Sequence, residues 1–484
     1  MGMNVEENKM HILEEEQEKS EFEEIDEEEN LAEDLIRRKQ KINQFNVEGN
    51  EALNQTNIQT LNLKVNYTIK QEKEAVNKEV KKIYNLRKKN DCIKYVEKYK
   101  NSDYLAMAII LCVFEAVSIK EVSWLMKSLL DYLPCHGNVK KEEEHGMNSY
   151  IAIDTMLQVI GAKRLSTDDG QICISLGVND TQALENILTQ FLVLREAIIS
   201  WLIHLVETQQ YNTVFESYQI VTAFTKMILL DYEVAEKYIF PELYRESKNI
   251  WLLGNLLFKL YEKDEEKEPW TRMFLEWADA KGGWIWKASY LAYALSVEHN
   301  VGIGVESRLK EILAKRLYYA KKTDINFIVS TLLLSDKVRT RFCEILDIAY
   351  INVNNKEKVI FKYLNILLYG FYRVNESSME IPLLICDTEQ QQNYLKNILM
   401  DIMERNRYRV QFFKVVKAYI QEINNYRYSE RIVRLLAAYF YNMSGVEEEN
   451  IKEIIFFLKE CECQLAKDIY IFFWKVYEKR RRDS

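Results

Sequence analysis

Ligating side chains crowd in one stretch of this 484-residue sequence. Cys135, His136 and His145 place a thiol and two imidazoles beside Glu142, Glu143 and Glu144. A structural zinc takes four ligands, and finger-type sites bring them in closely spaced pairs. The C-H-x8-H spacing supplies no second pair, so the stretch reads as a charged loop that follows Pro134 and Gly137, and no metal is expected. The remaining histidines, His11, His204 and His299, stand far apart, and His204 sits mid-helix as a core or groove residue. Neither H-E-x-x-H nor G-x-S-x-G occurs. The eight cysteines are scattered, mostly in apolar helical pattern, and Cys461 and Cys463 form a lone C-x-C. They read as buried free thiols in a reducing compartment.

Phosphate chemistry has one candidate. Gly302 and Gly304 precede a helix that opens near Glu306, and backbone N–H groups at a helix N-terminus hold anions. A P-loop also needs a Lys-Ser/Thr pair and a preceding strand. Both are missing, so the segment reads as a connector. Ile381–Asp387 is an apolar run ending in a carboxylate, a buried strand or a helix opened by Pro382, without βαβ context. No catalytic residue and no cofactor is expected, and the chain reads as non-enzymatic.

Binding chemistry has more to work with. Trp270, Trp277, Trp284 and Trp286 gather with Arg272, Met273 and Phe274 around the Gly282-Gly283 break. Trp and Arg dominate interface hot spots, which makes Trp270, Arg272, Trp277, Trp284 and Trp286 candidate anchors for a protein partner. Core packing between adjacent helices uses the same spacing. For nucleic acid the candidates are Lys81, Lys82, Arg87, Lys88 and Lys89, and a second group of Arg405, Arg407, Arg409, Arg427 and Arg431 with Tyr426, Tyr428 and Arg434. Guanidinium charge beside aromatic rings suits single-stranded nucleic acid or phosphoprotein, and a solvated ridge has the same composition. Lys479–Arg482 adds a basic tip.

The elements that must position these residues are helices. Four Pro and 14 Gly in the whole sequence leave few turn and strand signals between amphipathic stretches. Residues 1–34 carry 15 Asp/Glu against 2 Lys, while 35–484 are net +4 within a total of −9. The acidic run repels itself, so 1–68 reads as a disordered arm and polar linker, followed by a basic helix over 69–102. Such an arm can mask a basic face or simply solvate the chain. The N-terminus is acidic, unlike a secretory signal, and no apolar run reaches the length of a membrane span. A cytoplasmic protein with no membrane contact is expected, of unknown oligomeric state.

Over 103–178 the pattern gives helices at Tyr104–Val117, Ile119–Leu130 (a Ser118/Glu121 capping box) and Ser149–Ile160, then, across Arg164–Leu176, two short strands around an Asp-Gly turn. This order resembles a winged helix-turn-helix domain. The resemblance implies that Ser149–Ile160, presenting Tyr150, Asp154 and Gln158, is the reading helix. Its acidic surroundings favour a protein-contact role over DNA reading.

From 179 to 484 the pattern predicts helices at 181–208, 212–230, 232–239, 242–262, 270–280, 284–298, 305–321, 323–334, 336–351, 356–372, 389–404, 408–423, 428–443, 447–460 and 465–480. Asn212, Thr323, Ser335 and Ser429 are placed to cap. A pair spans about 40 residues, which resembles HEAT-like or TPR-like arrays, although neither consensus is present. The fold class expected is mainly α, a winged-helix-like N-terminal domain plus an α-solenoid. The function expected is an adaptor or scaffold for protein partners in a microbial regulatory or defence assembly. The alternative is nucleic-acid binding through the basic helix and the winged-helix-like domain.

Overall fold

The computed structural model describes residues 103–114, 117–133, 153–166, 172–176, 184–185, 187–188, 191–208, 214–280, 283–332, 334–373, 388–425, 428–445 and 447–483. The acidic arm, the basic stretch with Lys81, Lys82, Arg87, Lys88 and Lys89, the Cys135–His145 loop, Arg427, and the 381–387 run lie outside the described residues. What is described is mainly α.

Helix α1 (Asp103–Val113) is buried without a break from Leu105 to Val113. A helix apolar all round must be enclosed. It stops short of the expected Val117, because β1 (Val117–Ser118) pairs antiparallel with β3 (Ile172–Ser175), Val117 facing Ile174. Ser118 then caps α2 (Ile119–Leu130). Its Oγ accepts the Glu121 N–H at 3.2 Å, and the Glu121 carboxylate accepts the Ser118 N–H at 3.1 Å. Helix α3 (Ile153–Ile160) leads to β2 (Lys163–Ser166), which pairs antiparallel with β3, so the sheet order is β1-β3-β2.

The rest is helix on helix. In order these are α4 (Leu192–Glu207), α5 (Val214–Leu230), α6 (Tyr232–Val234), α7 (Phe240–Leu243), α8 (Ile250–Lys263), α9 (Glu268–Asp279), α10 (Ile285–Glu298) and α11 (Glu306–Tyr319). There follow α12 (Lys322–Leu332), α13 (Asp336–Asn352), α14 (Lys356–Arg373), α15 (Glu389–Glu404), α16 (Asn406–Asn424), α17 (Glu430–Ser444), α18 (Glu448–Glu460) and α19 (Gln464–Asp483). Short connections turn the chain back at each step, and helices two or three apart pack against one another. One row runs α5, α8, α10, α13, α15, α17, α19, and α12, α14 and α16 form part of the second. A continuous apolar core threads between the rows, from Leu105 to Phe473.

Most boundaries fall within two residues of the pattern, since caps and period mark them. Ser335 accepts the Val338 N–H at 3.4 Å, whereas Ser429 occupies the cap position without a side-chain bond. The expected helix 242–262 is two helices. Pro241 opens α7, a π-helical turn (Ala235–Ile239) joins α6 to it, and buried Asn249 donates to the Leu243 carbonyl at 3.0 Å to close it.

At Gly254, helix α8 lies close against Leu291 of α10. A Cβ there would sit 2.9 Å from Leu291 Cβ, an atom fixed to the backbone. Gly254→Ala gains up to about 1 kcal/mol of helix propensity. Overpacking costs about 1–3 kcal/mol, so a net loss is expected in urea denaturation.

Candidate interaction surfaces

Indole burial decides the Trp cluster. Trp270, Trp277 and Trp286 are 2%, 6% and 7% exposed. Trp270 meets Tyr232 edge-on at 5.5 Å and donates its Nε1–H to Asp264 at 2.7 Å. Trp277 stands edge-on to Tyr244 at 5.6 Å and to Phe240 at 6.2 Å. Trp270 and Trp277 tie α9 to α6 and α7, Trp286 is enclosed on α10, and an enclosed indole has no face to offer a partner. The anchor reading therefore fails for them. Trp284 is partly buried at the start of α10, and Arg272 is exposed and paired with Glu268 at 2.6 Å.

The arginine group divides. Arg405, Arg407 and Arg409 lie at the start of α16, and Arg431 lies at the start of α17, beyond the other end of α16. Nineteen residues of helix put roughly 28 Å between them. Arg405 is bound by Glu357, Arg409 donates to the Met403 carbonyl at 3.0 Å and lies 3.7 Å from Glu453, and Arg431 is exposed. The expected single basic and aromatic face is not assembled from them. Arg434 pairs with Glu430 at 2.6 Å and covers the Phe472 ring at 5.6 Å.

The glycine pair is a connector. The Gly302 carbonyl accepts the Tyr261 hydroxyl at 3.0 Å. Lys267 seals the neighbouring end of α8, donating to the carbonyls of Tyr261, Glu262 and Asp264, where the helix leaves them unpaired.

Sequence reasoning missed the polar links that brace the rows. Tyr293 donates to Glu306 at 2.9 Å, Tyr350 to Asp401 at 2.5 Å, Tyr408 to Glu357 at 3.3 Å and Tyr428 to Asp468 at 2.8 Å. The first three each join two helices, and the last joins the turn before α17 to α19. Burial, then the bond to Asp468, pushes the Tyr428 hydroxyl up to about 12. Lys310 lies between Glu306 (3.6 Å) and Glu344, and Arg341 donates to Glu344 at 3.0 Å. Burial acts to raise the Glu344 carboxyl, but the bonds from Lys310 and Arg341 prevail and hold it below the usual range. Buried Gln391 donates to Thr340 at 3.1 Å, and buried Gln392 to the Leu435 carbonyl at 3.0 Å. Among the described residues no group of three His, Cys, Asp or Glu is placed to hold a metal, and no helix is long and apolar enough to cross a membrane. Cys112, Cys173, Cys343 and Cys461 are buried, and burial, with Cys463 beside it, pushes the Cys461 thiol up to about 11.

Comparisons with family models, with curated proteins and with solved structures give no match.

His299 follows the C-terminus of α10 and stacks on Phe258 at 5.1 Å. Burial, then the charge of Lys259, lowers its pKa, with Lys337 acting the same way and Glu262 and Glu298 against. A depressed imidazole means the unfolded chain binds the proton more readily. Its contribution is therefore present above about pH 6.5 and lost as pH falls through the lower folded value. His299→Gln is expected to flatten the acid side of the melting temperature–pH curve, as measured by circular dichroism.

Exposed apolar side chains remain on the array. Ile471 and Trp474, one turn apart on α19, are 50% and 38% exposed, and Phe456 on α18 is 61% exposed. The Trp474 Nε1–H donates to Glu478 at 2.8 Å, and its ring lies 5.5 Å from Tyr477.

Proposed function

We propose that the chain is a non-enzymatic adaptor or scaffold subunit that docks protein partners on its helical array, in the cytoplasm. The observation that carries this reading is the outward face of α19. There Ile471 and Trp474 stand exposed, and a hydrogen bond to Glu478 sets the indole orientation. Trp is the side chain most enriched where binding energy concentrates, and an oriented ring loses little freedom on docking. The bracing of the rows by buried polar side chains supports a stiff support for such a face.

The order α1, β1, α2, α3, β2, β3 supports the winged-helix-like reading of 103–178. Every residue of β2 is exposed, and Arg164 is paired with Asp154 at 2.7 Å. That neutralised charge favours protein contact for this segment too. A place in a microbial regulatory or defence assembly rests on fold-level analogy.

The test is affinity capture with the native chain and with Ile471→Asp and Trp474→Ala. Exposed substitutions leave stability within about 0.5 kcal/mol, so a lost partner is a lost contact. A protein retained by the native chain and lost by both variants supports the reading. Identical capture by all three refutes this face.

A further inference from the structure

We propose that the end of α11, the start of α12 and one stripe of α14 form a ledge that binds single-stranded nucleic acid. This surface is separate from α19 and independent of the protein-docking reading. On α14, Lys358, Lys362, Asn365 and Tyr369 follow at steps of four, three and four residues, which places them in one stripe along the helix. Contacts fix both ends. Lys358 Nζ lies 5.1 Å from the Tyr318 ring centre and 5.9 Å from that of Tyr319, and Lys322 Nζ lies 5.9 Å from that of Tyr369. At a rise of about 1.5 Å per residue the stripe is about 16 Å long.

Rings and charges alternate on this ledge. Tyr318 and Tyr319 meet edge to face at 4.9 Å, and Tyr319 is 71% exposed. Lys315, Lys321 and Lys322 are exposed around them. Two nearby carboxylates are engaged elsewhere. Asp324 pairs with Lys287 and accepts the Lys321 backbone N–H at 2.8 Å, and Glu357 is held by Arg405 and Tyr408. Glu311 is the exposed acid one turn before Lys315. Arg316 donates to the carbonyls of Ala278 (2.8 Å) and Ala280 (2.7 Å), which leaves the cationic work to lysines.

That composition selects the ligand. Phosphopeptide recognition favours the planar guanidinium fork, and the Arg316 fork at this ledge is turned to backbone carbonyls. An acidic peptide would use the lysines but gain little from an open phenol ring. Unpaired bases use both, stacking on aromatic faces while the backbone runs along the charge. A duplex keeps its base faces hidden.

The test is fluorescence anisotropy of labelled oligothymidylate and oligouridylate with the full chain at low and moderate salt, with thermal melts of every variant. Expected is binding that weakens with salt, and that falls about tenfold with Tyr319→Ala and at least as far with Lys315→Glu/Lys321→Glu. Lys475→Glu, on α19, leaves it unchanged. Absence of binding at low salt overturns the proposal, as does binding indifferent to the ledge substitutions. Displacement of the oligonucleotide by oligoglutamate at equal charge, with Tyr319→Ala without effect, overturns it in favour of an acidic peptide.

Discussion

Trp201→Ala lowers the unfolding free energy by about 3–5 kcal/mol, read by urea denaturation followed by circular dichroism. Trp201 is fully buried on α4. Its ring meets Phe114, just past the end of α1, edge-on at 5.8 Å, and its Nε1–H donates to Ser128 of α2 at 3.1 Å. One side chain thus joins the N-terminal helices to the array. Alanine removes the apolar area, leaves a void that close-packed helices fill poorly, and takes from the Ser128 hydroxyl the donor it accepts from. Trp201→Phe keeps most of the ring area and should lose less. A loss below about 1 kcal/mol for the alanine variant would mean that the two segments do not pack through this indole.

Lys287→Met is expected to cost about 3–5 kcal/mol, and Lys287→Met/Asp324→Leu to recover most of that loss. Lys287 on α10 and Asp324 on α12 form an ion pair with side chains only 12% and 15% exposed. Removing the ammonium leaves a carboxylate shielded from water that still accepts the Lys321 N–H at 2.8 Å. Removing both charges abolishes the desolvation penalty along with the attraction. The double-mutant cycle should therefore show strong coupling. Glu268→Ala breaks a pair whose side chains are 80% and 65% exposed, and is expected to leave stability nearly unchanged. Additive losses at Lys287 and Asp324 would contradict the buried pair.

Helix positions were legible in the sequence because local chemistry encodes them. The Ser118–Glu121 box and the Ser335 cap need three residues of context each. The two-residue strand β1 has no period to detect and exists because β3, some 55 residues later, lies beside it. Spacing correctly grouped Trp270 and Trp277 on one face, but the period of a helix does not say whether that face meets water or another helix. Tyr232, Phe240 and Tyr244, brought by preceding elements, decide that. The arginines of 405–434 looked close because they are close along the chain, yet α16 separates them. Conversely, Lys358 and Tyr318 are forty residues apart and touch. The polar links between neighbouring helices of a row escaped for the same reason. Gln391 meets Thr340 and Tyr350 meets Asp401 across 51 residues, a range at which composition carries no pairing information.

Hydrogen-exchange mass spectrometry of the native chain, alone and with the protein it captures, tests the scaffold reading most directly. The account predicts slowed exchange concentrated on 447–483, around Phe456, Ile471 and Trp474, with the interior helices α8 and α10 already slow and unchanged. Exchange in the array that is untouched by the bound protein would contradict it.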